Sequence, residues 1–234
     1  SKSIFYREKA GLLQTMSILE EIILTDVCPF TLGTEVVSRR AGGVIEAGHY
    51  LPLIERNSVI PVSHTERLYT VSDRQTHIKV DILQGESRLA ANNVYLGSIE
   101  VMVPPGPAGQ ESVDVTYTYD VNSILEVIVK VISTNIEKRL VIKNEETDLT
   151  DEEIDARFAE LSSLKIHPRE QEANKLLLLR ADRMYEESIG DRRKLLEHEI
   201  NMFEDILNKQ NPSEISSARE SFKEFLDNME DDLF

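Results

Sequence analysis

The segment Ile78-Lys79-Val80-Asp81-Ile82 alternates apolar and charged residues without interruption. A period of two puts successive side chains on opposite faces of a β-strand, so one face is buried and the other meets solvent. Residues 113–119 alternate in the same way, and residues 125–132 are nearly all apolar and β-branched, as in a strand covered on both faces. Several short strands without long helices between them predict an antiparallel β-sandwich.

Turn-forming residues show where this β-rich region ends. Eight of the ten glycines and six of the eight prolines lie between residues 27 and 143, in clusters such as 41–43, 84–86 and 104–107. The chain has 234 residues, of which 41% are hydrophobic and 29% charged, an ordinary globular composition. We therefore expect a folded β-domain followed by a second, different domain, with the boundary near residues 144–150.

The C-terminal part is predicted to be an α-helical bundle. Residues Thr150-Asp151-Glu152-Glu153 form a capping box that starts a helix at residue 151. Pro168 suits the first turn of a second helix, Gly190 separates that helix from a third, and Pro212 precedes a fourth. Apolar residues recur at intervals of three and four, which is typical of helices with one buried face.

Charge and cysteine content limit the partners and the compartment. Lys and Arg number 26 and Asp and Glu 42, which gives a net charge of −16 and argues against duplex nucleic acid or an anionic membrane as the main partner. The apolar runs fall far short of the roughly 18 residues of a membrane span. A single cysteine, Cys28, cannot form an internal disulfide, so a cytoplasmic location is expected.

Motifs for catalysis, metal binding and nucleotide binding are not apparent. Gly42-Gly43 lacks the remaining residues of a phosphate-binding loop, and the five histidines do not fall at metal-ligand spacings. Cys28 has no neighbouring histidine or basic residue that would lower its pKa, which favours a structural thiol. We therefore expect no catalytic residue, metal ion or cofactor in this chain, and an enzyme is disfavoured.

Several separated motifs resemble one chaperone family. The segment Ile22-Ile23-Leu24-Thr25-Asp26-Val27-Cys28-Pro29-Phe30-Thr31-Leu32-Gly33 resembles the interdomain linker and first strand of the 70-kDa heat shock chaperones of the DnaK type. Residues 57–61, 73–75 and 78–86 are similar to the peptide-binding core of the same family, in the same order. The resemblance covers about residues 20–145, and the segments 25–33 and 161–185 look like the divergent HscC branch.

The resemblance implies a division of the chain into four parts. Residues 1–20 would be a remnant of the last ATPase-domain helix, and residues 21–27 would be the interdomain linker. Residues 28–146 would form the β-sandwich that binds peptide, and residues 147–234 would form a helical lid over its groove. On this interpretation the chain is a C-terminal fragment that hydrolyses nothing itself, whereas the full-length protein would be an ATPase.

The resemblance also assigns roles to residues of the sandwich. Taken alone, alternating Ile and Val on a strand are more often core residues, and only the family pattern selects them as a site. The implied peptide-binding residues are the pocket floor Ile78, the surrounding Thr34, Val36, Leu68 and Val80, the arch residues Val37 and Val71, and Gln75, which would hydrogen-bond the peptide backbone.

Further residues are implied in coupling to an ATPase domain. The apolar linker Ile22, Ile23 and Leu24, followed by Asp26, would couple ATP state to peptide release, although a simple first strand is an open alternative. Other positions near interdomain contacts are Arg56, Pro61 and Asn122. Ala108 stands where better-known members have a latch arginine, whereas Asp73 keeps the other latch position.

The expected partners follow from the same resemblance. They are an unfolded polypeptide or hydrophobic peptide, the protein's own nucleotide-binding domain with ATP and Mg²⁺ in the full-length protein, and a J-domain co-chaperone. Self-association of the chain through its linker or lid is a further possible interaction. The alternative function is a non-chaperone interaction module, in which the same sandwich and helices hold one permanent partner.

Overall fold

A computed structural model describes residues 26–39, 45–144 and 148–231. The first part contains eight strands, β1 to β8, arranged in two four-stranded sheets with the orders β2-β1-β4-β5 and β3-β6-β7-β8. All strand pairs are antiparallel. The strands are β1 (Leu32–Arg39), β2 (Ile45–Ile54), β3 (Val62–Tyr69), β4 (His77–Gln84), β5 (Val94–Met102), β6 (Ser112–Tyr119), β7 (Leu125–Val131) and β8 (Glu137–Ile142).

The alternation along β4 sets which face of the first sheet is buried. Ile78, Val80 and Ile82 are buried between the sheets, whereas Lys79 is exposed. The inward residues of β6 and β7 meet them from the second sheet, and Tyr117 of β6 reaches across to donate a hydrogen bond to the Gly33 carbonyl of β1 at 2.9 Å. The predicted antiparallel sandwich is confirmed.

Four α-helices follow the sandwich, as the sequence predicts. They are α1 (Asp151–Glu160), α2 (Glu172–Glu187), α3 (Gly190–Lys209) and α4 (Pro212–Asp231). The capping box of α1 is present, since Thr150 Oγ1 accepts from Glu153 N at 3.2 Å and Glu153 Oε2 accepts from Thr150 N at 2.8 Å. The predicted place of Pro168 in the first turn of α2 is wrong. Pro168 lies in a separate 3₁₀ turn, Pro168–Glu170, and α2 starts only at Glu172. An extended residue, Gln171, separates the two.

The helical part divides into two bodies with separate cores. Helix α1 packs onto the sandwich, where Ile154 and Phe158 form a cluster with Ile124. Helices α2, α3 and α4 form a three-helix bundle with its own core, in which Phe203 and Phe222 stack at 4.6 Å between ring centroids. In the described ranges, none of the helices is long and apolar enough to cross a bilayer.

Buried ion pairs fix α1 and the following 3₁₀ turn to the second sheet. Asp120 and Glu126 have side chains that are only 2% exposed. Asp120 accepts from Arg157 Nε of α1 at 2.8 Å, and Glu126 pairs with Lys165 as well as with Arg139 of β8. Because a buried carboxylate without a cation is costly, these contacts make α1 part of the sandwich unit.

Candidate functional site

A cavity of about 560 Å³ opens at one end of the sandwich. Strands β1 and β4 of the first sheet form one side of it, and the end of β3 with the loop that follows forms the other. The loop between β5 and β6 completes the wall. The lining residues are Glu35, Val36, Val37, Arg67, Leu68, Tyr69, Thr70, Val71, Gln75, Ile78, Lys79, Asp81, Ala108 and Gly109.

Six of the eight residues assigned to the peptide site line this cavity. They come from three separate segments of the chain and are Val36, Val37, Leu68, Val71, Gln75 and Ile78. The other two, Thr34 and Val80, are fully buried beneath them in the sandwich core and do not line the cavity. Strand alternation places Thr34 on the same face of β1 as Val36, and Val80 on the same face of β4 as Ile78. Thr34 and Val80 therefore lie farther along these strands, away from the cavity and inside the core.

The floor and the rim of the cavity differ in exposure. Ile78 is 6% exposed and packs within the core cluster, so a large part of its surface is already covered by the sandwich. Val37 and Val71 are 37% and 39% exposed, which is typical of rim positions that a ligand could cover. Their predicted arch over a bound peptide stays a prediction.

The loop 70–76 is held in shape by Gln75. Its Oε1 accepts from Val71 N at 2.9 Å and from Ser72 N at 3.3 Å, and its Nε2 donates to the His77 carbonyl at 2.7 Å. Both ends of the amide are therefore engaged with the chain's own backbone in this structure. Gln75 positions the loop that carries Val71, and the predicted hydrogen bond from Gln75 to a peptide stays a prediction.

Contacts with the β5–β6 loop brace the same loop. The Asp73 carboxylate accepts from Ala108 N at 2.9 Å, and Arg74 N donates to the Gly106 carbonyl at 2.7 Å. Gly109 N donates to the Thr70 carbonyl at 2.7 Å, and Gly109 has a left-handed φ of 83° that favours glycine. These bonds place Ala108 and Gly109 in the cavity wall. Asp73, assigned to a latch, holds a neighbouring loop here.

The charged residues of the cavity wall are balanced in sign. Arg67 donates to both oxygens of Asp114 at 2.6 and 2.9 Å, and these hydrogen bonds raise the pKa of the Arg67 guanidinium. Lys79 pairs with Asp81 at 2.8 Å, which raises the pKa of Lys79. The lining contains two cations, Arg67 and Lys79, and two carboxylates, Glu35 and Asp81, whereas Asp114 lies outside the wall. The strong acidity of the whole chain is not repeated in the cavity.

Residues assigned to interdomain contacts lie near the other end of the sandwich. Asp26 is exposed, and its carbonyl accepts from Ile60 N at 3.0 Å. Arg56 lies 3.8 Å from Glu86 between Nε and Oε2, and Pro61 follows Ile60 in the loop before β3. Asn122 donates through its backbone to Asp120 Oδ1 at 2.6 Å. The linker residues Ile22, Ile23 and Leu24 lie outside the described residues.

A hydrogen-bonded carboxylate braces the start of β1. Glu86 accepts from Thr31 N at 3.0 Å and from Thr31 Oγ1 at 2.9 Å, and these bonds lower the pKa of Glu86. Cys28, two residues after Asp26, is buried, and burial raises the pKa of its thiol. A buried thiol of this kind acts as a small apolar core residue.

The cavity offers apolar contact, hydrogen bonds and paired charges. Among the residues that the structure describes, no group of His, Cys, Asp and Glu is arranged to hold a metal ion. Ala108, which the resemblance relates to a latch position, lies in the wall. The lining residues that carry no site assignment from the sequence are Glu35, Arg67, Tyr69, Thr70, Lys79, Asp81 and Gly109. Tyr69 had a weak signal, because it is an aromatic residue at the end of a strand next to Leu68.

Comparison with known proteins gives the family. Residues 8–233 match the family described as Hsp70 protein. The chain is 32% identical over 228 residues to the chaperone protein DnaK of Deinococcus radiodurans, an alignment that covers 93% of this chain and 35% of that protein. It is 38% identical over 139 residues to the chaperone protein DnaK of Nitrosopumilus maritimus, covering 59% of this chain and 20% of that protein.

The chain spans about a third of the length of the Deinococcus relative, at 35%. The family match nevertheless extends over most of the residues of this chain, including both the sandwich and the helices. The chain belongs to the Hsp70 family.

Proposed function

We propose that this chain is the polypeptide-binding part of an Hsp70 chaperone of the HscC type. An extended, apolar segment of an unfolded polypeptide would place one side chain in the cavity above Ile78. The observation that carries this proposal is the convergence of Val36, Leu68 and Ile78 on one cavity, since these are the residues that the family resemblance selects. An apolar pocket with polar groups at its rim is a suitable site for one anchoring side chain.

The rim accounts for loose sequence preference. Val37 and Val71 are exposed on either side of the opening, where a peptide backbone would pass between β1 and the loop after β3. Contacts to the backbone of a ligand do not depend on its sequence, so selectivity rests mainly on the anchoring side chain. Within the predicted lid region of residues 147–234, the bundle of α2 to α4 would act as the lid that slows the release of such a ligand, since α1 is packed onto the sandwich.

The full-length protein would couple this site to ATP. The linker at Ile22, Ile23 and Leu24 would contact the protein's own nucleotide-binding domain, which would bind ATP and Mg²⁺, and a J-domain co-chaperone would stimulate it. The location would be the cytoplasm. The relatives carry the name chaperone protein DnaK, which supports a role of this kind for the whole protein.

A fluorescence-anisotropy screen tests the binding proposal. A panel of unrelated seven-residue peptides with a Leu centre is compared with the same peptides carrying Asp at the centre. We expect many of the Leu peptides to bind, with affinities on the order of micromolar, and the Asp peptides to bind at least tenfold more weakly. Binding of one partner alone, tightly and without an apolar-centre rule, would instead favour a dedicated interaction module.

A further inference from the structure

The turn between α3 and α4 directs one side chain toward the sandwich. Gln210 occupies this turn with a left-handed φ of 55°, and its N–H donates to the Leu207 carbonyl at 3.2 Å. The left-handed conformation ends α3 and lets α4 start two residues later, at Pro212. The turn thereby brings the Gln210 side chain to Thr65 of β3, 145 residues away in sequence.

Gln210 makes a pair of hydrogen bonds to a single residue of the sheet edge. Thr65 N donates to Gln210 Oε1 at 3.0 Å, and Gln210 Nε2 donates to the Thr65 carbonyl at 2.8 Å. Strand β3 is at the edge of the second sheet, so its outward N–H and C=O groups face no neighbouring strand among the described residues. The side-chain amide therefore supplies the donor and acceptor that one residue of an added antiparallel strand would supply.

These bonds join two bodies that are otherwise built separately. The bundle of α2 to α4 has its own core, and the ion pairs of Asp120 and Glu126 reach α1 and Lys165 but not the bundle. In the described part of the chain, the hydrogen bonds that tie the bundle to the sandwich are those of Gln210. The bundle is thus a compact unit that the turns at residues 161–170 join to the sandwich, with Arg169 paired to Glu204 of α3 at 2.6 Å, and the Gln210 amide adds hydrogen bonds directly to the edge of β3.

We propose that Gln210 is the catch that docks the three-helix bundle on the edge of β3, and that breaking its two hydrogen bonds frees the bundle to move relative to the sandwich. The catch is close to the cavity, since Thr65 precedes Leu68 by three residues, or about 10 Å along an extended strand. Resting on the proposed function, this position makes the catch the point at which the lid is held or released.

Hydrogen exchange at the Thr65 amide tests the catch directly. Gly and Asn both accept positive φ, so Gln210→Gly and Gln210→Asn should keep the left-handed turn. Gly has no side-chain amide, and the amide of Asn is one methylene shorter than that of Gln and should not reach Thr65. We expect exchange at Thr65 N–H to accelerate at least tenfold in both variants. Asn201→Gln is the matched control, since Asn201 is an exposed amide residue on α3 of the same bundle.

Spin labels measure whether the bundle moves. Labels at Lys194 on α3 and Glu100 on β5, both on the surface, report the distance between bundle and sandwich when Cys28 is replaced by Ala. We expect one narrow distance distribution in the parent and in Asn201→Gln, and a broadened or shifted one in both Gln210 variants. Unchanged Thr65 exchange and unchanged distances in both variants would overturn the proposal. Neither measurement uses a peptide, so a failure of the catch is distinguished from a failure of peptide binding.

Discussion

The substitution Ile78→Phe tests whether Ile78 contributes to a peptide-binding pocket or only to the core of the sandwich. Ile78 is 6% exposed, lines the cavity and packs in the sandwich core, so the larger ring must extend into the cavity volume. The anchoring side chain of a peptide then loses its place. Burying one such side chain contributes roughly 1.5–3 kcal/mol, which corresponds to a loss of about ten- to a hundredfold in affinity.

Val80 provides the matched control, because it shares the same face of β4 but lies fully buried outside the cavity wall. Val80→Ile adds one methylene to a packed core and is expected to cost about 1 kcal/mol of stability. For a domain of this size that lowers the melting temperature by roughly 2–4 °C. Peptide affinity should be unchanged in Val80→Ile and strongly reduced in Ile78→Phe.

Thermal melts and peptide anisotropy on the same samples give both quantities. The expected pattern is a near-parental melting temperature with weak binding for Ile78→Phe, and a lowered melting temperature with parental binding for Val80→Ile. If Ile78→Phe melts lower and binds peptide with undiminished affinity, the residue is core only and the pocket assignment is wrong.

Three further predictions follow from the same structure. Ending the chain after residue 167 keeps α1 and Lys165 on the sandwich but removes the bundle, so peptide affinity should stay measurable while stopped-flow release accelerates; an unchanged release rate would count against a lid. Thr34→Val should raise the free energy of unfolding by about 1–2 kcal/mol in urea, because the Thr34 hydroxyl is fully buried and has no hydrogen-bond partner among the described residues. The pKa of Glu86 is lowered from its ordinary value of 4.5, so its bonds to Thr31 stabilise the fold above that pH and are lost as pH falls through the lowered value. The stability difference between the parent and Glu86→Gln should therefore shrink in melts below about pH 4.5, and a constant difference would contradict it.

The sandwich could be predicted from the sequence because its signal is local. The alternation at residues 78–82 reports which side chains of β4 are buried, and the structure buries Ile78, Val80 and Ile82 accordingly. The prediction that α2 starts at Pro168 is wrong, since Pro168 is compatible both with a first helical turn and with the separate 3₁₀ turn that forms. Local preference alone does not distinguish the two.

The cavity was only partly predictable because it is built from distant segments. Ala108 reaches the wall through its hydrogen bond to Asp73, 35 residues away, and no periodic pattern marks such a contact. The contact of Gln210 with β3 is equally unpredictable from the sequence, since a glutamine in a turn between helices is ordinarily solvated. Its function depends on β3 being an edge strand, which is a property of sheet order and not of the residues around position 210.

Two separate contacts hold the cavity loops and the helical bundle in this chain. Position 108 is alanine, so its side chain cannot form an ion pair with Asp73, and the Asp73 carboxylate instead accepts the Ala108 backbone N–H and braces the cavity loops. The bundle is held elsewhere, by the neutral amide of Gln210 on β3. Because neutral hydrogen bonds are screened little by salt, docking of the bundle should be nearly independent of ionic strength, whereas an ion-pair latch would loosen as salt rises. Distances between the spin labels at Lys194 and Glu100, measured at low and high salt, distinguish the two, and undocking at high salt would show that charge, and not Gln210, holds the bundle.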